Sequence, residues 1–96
     1  MKSLQDIRNT LITNKKSLFD KYGLRLLAIF GSYARNQQND KSDVDILVEF
    51  ERPIGIEFID LAQEREKILN EKVDLVSKNG LKPKYFQSIS HELSYV

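Results

Sequence analysis

Asp43, Asp45, Asp74 and the pair Gly31-Ser32 are the residues whose types and spacing suit chemistry. Asp43 and Asp45 stand one residue apart at the head of an apolar run, Asp43-Val44-Asp45-Ile46-Leu47-Val48-Glu49-Phe50. Alternate residues of a strand share a face, so the two carboxylates project side by side. Aspartate is disfavoured inside strands. Partly buried neighbouring carboxylates repel until one takes up a proton or a cation joins them. Mg²⁺ prefers oxygen ligands, commonly one or two carboxylates plus phosphate oxygens, and would remove the conflict. The competing reading is an exposed strand end with solvated acids and Asp43 as a cap. The apolar residues Ile46 to Phe50 weigh against it, because they carry the strand directly into a core.

Asp74 is a lone acid in the apolar run Val73-Asp74-Leu75-Val76. It reads either as an edge-strand residue with one face wet or as a third carboxylate brought to the pair from another strand. Gly31-Ser32 interrupts a buried strand where a short helix over Ser32 to Asn36 is expected. Glycine permits a tight turn and close approach of a ligand to the main chain. Unpaired N–H groups at a helix start, with the Ser32 hydroxyl, suit phosphate oxygens. Alone, the pair reads more readily as a turn glycine followed by an N-cap serine. Arg35, three residues after Ser32, falls on the same side of a helical turn. Its guanidinium suits a terminal phosphate, although surface arginines are common.

Seven elements must position these residues. Ser3 is an N-cap with Asp6 in the first turn, and Leu4, Ile7, Leu11, Leu18 and Tyr22 recur at helical spacing. Gly23 suits a left-handed stop, so the first helix spans Leu4 to Tyr22. Leu24 to Phe30 is a strand buried on both faces. Asn36 to Ser42 is a polar loop, and Asp43 to Phe50 is the second strand. Val44, Ile46, Val48 and Phe50 share one of its faces. Asp43, Asp45, Leu47 and Glu49 share the other. A turn over Arg52 to Gly55 leads to a helix over Ile56 to Asn70, with Ile56, Ile59, Ala62, Glu66 and Leu69 along one side. Lys72 to Ser77 is the third strand and Lys78 to Gly80 a turn. Pro83 opens a last helix that Tyr85, Phe86 and Ile89 anchor on the sheet. The order α-β-α-β-α-β-α predicts an α/β (α+β) fold, a small mixed sheet flanked by helices. The direction of the second strand relative to the first stays open.

The bulk properties exclude several classes. The chain has 96 residues, 41% of them hydrophobic and 30% charged, with a formal net charge of +1. Residues 1–96 read as one domain without a second lobe. Near-neutral charge argues against a chain built to coat nucleic acid. Without cysteine, and with His91 as the single histidine, disulfides, thiolate zinc and multi-histidine sites are excluded. The amino terminus carries Lys2, Asp6 and Arg8 and lacks the apolar run of a signal peptide. No apolar stretch is long enough to span a bilayer. A cytoplasmic location is the expectation.

Taken together, Gly31-Ser32-Tyr33-Ala34-Arg35, Ser42-Asp43-Val44-Asp45-Ile46-Leu47-Val48 and Val73-Asp74-Leu75-Val76 resemble the minimal nucleotidyltransferase family of the DNA polymerase beta superfamily. The likeness runs from the first helix to the closing Leu93-Ser94-Tyr95-Val96. It implies a polymerase-beta-like fold in which Gly31 and Ser32 hold the β- and γ-phosphates and Arg35 lies near the triphosphate. It implies that Asp43, Asp45 and Asp74 bind two Mg²⁺ ions, with Asp74 accepting the proton of an attacking hydroxyl. The family has glycine after the motif arginine. Asn36 stands there instead, a residue that tolerates left-handed backbone.

The implied reaction is in-line attack of an acceptor hydroxyl on the α-phosphate of a nucleoside triphosphate, releasing pyrophosphate. Such proteins act as antitoxins beside a HEPN-domain RNase toxin, and some transfer AMP from ATP onto a tyrosine of that toxin. The lack of a second lobe fits an acceptor that is itself a protein, in a hetero-oligomer with this chain. The alternative is an antitoxin that neutralises its partner by contact alone. Tyr33 either flanks the nucleotide or packs on the first helix. Glu49 is either a supporting acid or simply wet. His91 is a solvent-facing helix residue.

Overall fold

The computed structural model describes residues 2–51 and 57–96. The turn expected over Arg52 to Gly55, the helix start at Ile56, and the side chains of Ile59 and Ala62 lie outside the described residues. Helix α1 spans Leu4–Tyr22, as the sequence predicts. The Ser3 hydroxyl accepts from the Asp6 N–H and the Asp6 carboxylate accepts from the Ser3 N–H, a reciprocal capping box. At the far end Gly23 adopts φ 63°, the left-handed geometry that stops the helix.

Strand β1 (Leu24–Phe30) is followed by α2 (Gly31–Ala34), a single turn, and then by β2 (Val44–Phe50). Helix α3 (Glu57–Leu69) leads to β3 (Val73–Ser77), and α4 (Pro83–Ile89) to β4 (Ser94–Tyr95). Pro83 occupies the start of α4, where its missing N–H is harmless. Short 3₁₀ turns cover Lys78–Gly80 and Ser90–Glu92. His91 lies exposed in the second of these.

The sheet order is β3-β2-β1-β4. β1 and β2 are antiparallel, which settles the direction left open by the sequence. α3 is the crossover that makes β2 and β3 parallel. β4 pairs antiparallel with the other edge of β1 through Ala28↔Tyr95 and Ile29↔Ser94. Nothing in the residue pattern announces β4. Two residues carry no period, and their strand conformation is dictated by the open edge of β1.

Each face of the sheet has its own core. Leu27, Ile29, Val44, Ile46 and Val48 face α1 and α3, where Ile7, Leu11, Leu18, Leu61 and Leu69 close the larger core. Phe30 and Leu47 face the opposite way and pack with Ile89, Phe86, Leu81 and Leu93. Leu47 is fully buried, so truncation to alanine costs about 2–5 kcal/mol. Beyond the exposed Arg25, β1 is covered on both faces, as its nearly continuous apolar run predicts.

The buried stripe of α3 differs from expectation. Leu61, Arg65 and Leu69, four residues apart, face the core, whereas Glu66 is exposed. The Glu66 carboxylate instead accepts from the Val73 N–H at 3.4 Å, at the end of the α3–β3 connection. Leu69 keeps its expected inward place, and Arg65 rather than Glu66 takes the inward position before it.

Candidate active site

Asp45 sits at the centre of the candidate site. Phe30, Asp45 and Asp74 are register partners across three strands, Phe30↔Asp45 antiparallel and Asp45↔Asp74 parallel. Paired residues share a face, so both acids lie on the α4 side of the sheet, at the edge of the Phe30–Leu47 core. Asp43 lies just before β2, on the same alternate face, and is half-buried.

The turn after β1 meets the same point. Gly31 has φ 74°, a conformation costly for residues with a Cβ. A Cβ built on it would stand 2.0 Å from Asp45 Oδ2 and 2.9 Å from its Cγ. The Asp45 carboxylate therefore lies against the bare α-carbon of Gly31, and glycine is required there for two independent reasons. α2 begins at Gly31 with Phe30 as its N-cap and no side-chain capping bond. Ser32 is thus inside the turn rather than capping it. The turn ends at Arg35, whose N–H donates to Gly31 O at 3.1 Å. Asn36 follows with φ 58°, supplying the left-handed residue that its position demands.

The loop that delivers Asp43 is tightly tied. Gln37 N–H donates to Ser32 O at 2.8 Å, Lys41 N–H to Asn39 Oδ1 at 2.8 Å, and Asn39 N–H to Ser42 Oγ at 3.0 Å. These bonds close the polar stretch on itself just before the first acid.

The electrostatics record the crowding. The Asp45 carboxyl is pushed up from its ordinary 3.8 to about 6, first by burial, then by the negative charges of Asp74 and Asp43. Arg35 acts in the opposite direction and Glu92 reinforces the rise. Asp43, Asp45, Asp74 and Arg35 are therefore brought within electrostatic reach of one another. Asp74 is exposed on the edge strand β3. The edge-strand reading of Asp74 is correct for its exposure, and its register still keeps it beside Asp45.

All three acids offer hard oxygen donors whose mutual repulsion a divalent cation would relieve, so their chemistry fits Mg²⁺. They do not form a closed cage. Among the described residues, no three His, Cys, Asp or Glu side chains are grouped to hold a metal ion by themselves. Asp74 is solvated at the sheet edge. Mg²⁺ also takes much of its coordination from phosphate and water.

Arg35 is half-exposed, and its guanidinium is engaged within the chain. Nη1 donates to Glu92 Oε2 at 2.7 Å and Nε to Gln37 Oε1 at 3.1 Å. Glu92 and Gln37 were not legible as site residues. Glu92 lies 57 positions from Arg35, and no spacing rule connects them. Glu49 forms an ion pair with Lys78 at 3.5 Å. Tyr33 is buried in the larger core and does not flank the acids' face; burial raises its hydroxyl pKa. An open cleft elsewhere, along α1 and α3, is lined by Lys21, Tyr22, Glu64 and Asn70 and contains none of the candidate residues. No described helix is long and apolar enough to cross a membrane.

Comparison with known proteins gives a consistent picture. The model of the polymerase beta nucleotidyltransferase family matches residues 7–92. A Methanocaldococcus jannaschii protein carrying the provisional name protein adenylyltransferase is 47% identical over the whole of both chains. The protein adenylyltransferase MntA of Thermococcus cleftensis is 40% identical, covering 100% of this chain and 98% of its own. Among solved structures, one described provisionally as a minimal nucleotidyltransferase superposes with TM-score 0.85 at 29% identity, covering 99% of this chain and 97% of its own. A toxin–antitoxin complex with AMP-PNP superposes with TM-score 0.74 at 28% identity, covering 91% and 69%. A tri-AMPylated Shewanella oneidensis HEPN toxin in complex with its MNT antitoxin provides a further match, with TM-score 0.70 at 25% identity, covering 96% and 70%.

Proposed function

This chain belongs to the polymerase beta nucleotidyltransferase family, and on that premise we propose that it is an antitoxin that transfers AMP from ATP to a tyrosine of a partner HEPN-domain toxin. The observation that carries the reading is the meeting of Asp45 with both Asp74 and the Gly31 turn. Carboxylates from two strands and a bare backbone turn at one point suit a triphosphate and its counter-ions. ATP as donor and a HEPN toxin as acceptor are supported by the AMP-PNP and AMPylated-toxin complexes that share this fold. A cytoplasmic site of action, and residues 1–96 acting as one domain, go with this reading.

The residues divide the work as follows. Gly31 lets phosphate oxygens approach the main chain closely. Ser32 adds a hydroxyl donor. α2 is a single turn, so the individual N–H groups matter here rather than a macrodipole. Arg35 offsets charge on the triphosphate. Asp43, Asp45 and Asp74 would hold Mg²⁺, which when bound lowers the acceptor hydroxyl's pKa and steadies the leaving oxygen. The acceptor oxygen forms a bond to the α-phosphorus as the bond to the β-phosphate bridge breaks. Pyrophosphate leaves with the electron pair, and the hydroxyl proton passes to Asp74. The protein's share is placement and charge.

The test is direct. Each labelled triphosphate is incubated with Mg²⁺, this chain and the product of the neighbouring gene. Label on a tyrosine of that product, from ATP alone, is the expected result. A second reading, a contact-only antitoxin, draws on the solvent exposure of Asp74 at the sheet edge. A thermal shift with ATP and Mg²⁺ separates the two. At a hundredfold excess over Kd, bound nucleotide adds about 2.7 kcal/mol, whereas a contact-only protein shows no shift.

A further inference from the structure

We propose that Glu92 is a positioning residue for Arg35, fixing the guanidinium together with Gln37 so that its Nη2 edge is kept for the nucleotide's phosphates. The inference rests on the reading above, in which Arg35 serves the triphosphate.

The two partners of the ion pair differ in how firmly they are held. The Arg35 side chain is 48% exposed and that of Glu92 only 13%. An exposed arginine loses rotamer entropy when it is fixed, so a lone one at the end of α2 would wander. Glu92 is anchored by its surroundings. Ile89 before it is buried, and Leu93 after it packs into the smaller core. β4 is then stitched to β1, with Val96 N–H donating to Leu27 O at 2.9 Å. Arg8 Nη1 adds bonds to Ser94 Oγ at 2.7 Å and to Tyr95 O at 2.6 Å. Glu92 is therefore a fixed post, and Arg35 is the group it restrains.

The geometry of the fork then matters. Nε is taken by Gln37 and Nη1 by Glu92, at opposite ends of a rigid plane. The plane can no longer rotate freely, and among the described residues Nη2 is left for a third partner. A half-exposed ion pair contributes little to folding. Its consequence is orientation.

This role opposes simple electrostatics, which makes it testable by sign. Glu92 adds negative charge beside Asp45, so as a bare charge it repels a triphosphate. Removing a mere charge would tighten nucleotide binding. Removing a positioning residue weakens it.

The experiment measures Kd for ATP with Mg²⁺, and KM and kcat for AMP transfer, in the parent, Glu92→Ala, Glu92→Gln, Arg35→Ala and the Arg35→Ala/Glu92→Ala double variant. Thermal melting without nucleotide is the folding control. The expected result is a rise in Kd and KM of about fivefold in Glu92→Ala with kcat nearly unchanged. Glu92→Gln, which keeps a neutral acceptor, recovers part of the loss. In the Arg35→Ala background the Glu92→Ala change has no further weakening effect. Tighter or unchanged binding in both Glu92 variants overturns the proposal, and so does full additivity with Arg35→Ala. A parent that does not bind ATP overturns the functional reading, and this inference with it. A parent that binds and transfers while the Glu92 variants match it overturns the inference alone.

Discussion

Asp45 and Asp74 are register partners on adjacent parallel strands, and the carboxylate of Asp45 rests on the bare α-carbon of Gly31. The crossover helix α3 and the hairpin-like return of β1 to β2 thus converge at one end of the sheet. Backbone pairing holds the α-carbons of the two acids side by side, so each carboxylate stays within reach of the other's charge. That rigidity gives the site its chemistry and its electrostatic penalty together.

The first consequence concerns activity. Asp45→Asn or Asp43→Asn keeps the size and removes the anionic oxygens that would hold Mg²⁺. Transfer of labelled AMP is expected to fall by several orders of magnitude, with the circular dichroism spectrum preserved. Equal rates in variant and parent would remove both residues from the mechanism.

Asp45 also predicts a pH dependence of stability. Its carboxyl titrates near 6 in the folded chain against an ordinary 3.8. Between those values the folded state holds more protons than the unfolded one, so stability falls as pH rises. The contribution is present below pH 3.8 and lost by the time pH passes about 6. The site is part-exposed, and with solvent screening the loss is about 1 kcal/mol. Asp45→Asn should melt higher than the parent at pH 7, and the gap should close toward pH 4. A variant equally or less stable at pH 7 contradicts the assigned crowding.

Gly31→Ala tests the contact between turn and acid. The left-handed φ costs about 1–3 kcal/mol for a residue with a Cβ. The added carbon also displaces the Asp45 carboxylate, so transfer should be lost even where the chain folds. In the double variant Gly31→Ala/Asp45→Ala the clash with Oδ2 and Cγ is gone, leaving only the Asp45 Cβ, 3.2 Å away. Part of the lost melting temperature should return, without activity. Equal melting of the single and double variants would mean that the two residues do not touch.

Much of this arrangement was legible in the residues, and what was not has physical reasons. The ends of α1 are written locally, in the Ser3–Asp6 box and in Gly23. Alternation along Asp43 to Phe50 separates the two faces of β2, because side-chain direction follows from the strand period alone. Alternation says nothing about which residue of β3 lies beside Asp45, since register is set by the crossover and the packing of α3. The Arg35–Glu92 pair and the short strand β4 depend on the last residues meeting segments far back in the sequence. Asn36 shows the opposite case. A departure from the family's glycine is absorbed locally, because asparagine adopts the same left-handed backbone.

Arg65 is the place where the fold departs furthest from ordinary packing. It is fully buried on α3, between Leu61 and Leu69 of the same stripe. None of its guanidinium nitrogens has a hydrogen-bond partner among the described residues. Burial lowers its pKa to about 10, opposed by the nearby Glu64 and Tyr22. A buried cation with no hydrogen-bond partner among the described residues is destabilising, and an apolar side chain of similar reach suits the stripe better. Arg65→Leu is therefore expected to stabilise the fold by about 1–3 kcal/mol. For a domain of this size each kcal/mol raises Tm by about 4–8 °C. AMP transfer should be unaffected, because Arg65 belongs to the α1–α3 side of the sheet and the acids face α4. A lower Tm in Arg65→Leu would show that the guanidinium is held by a favourable interaction in the folded chain, and would reverse this account of α3.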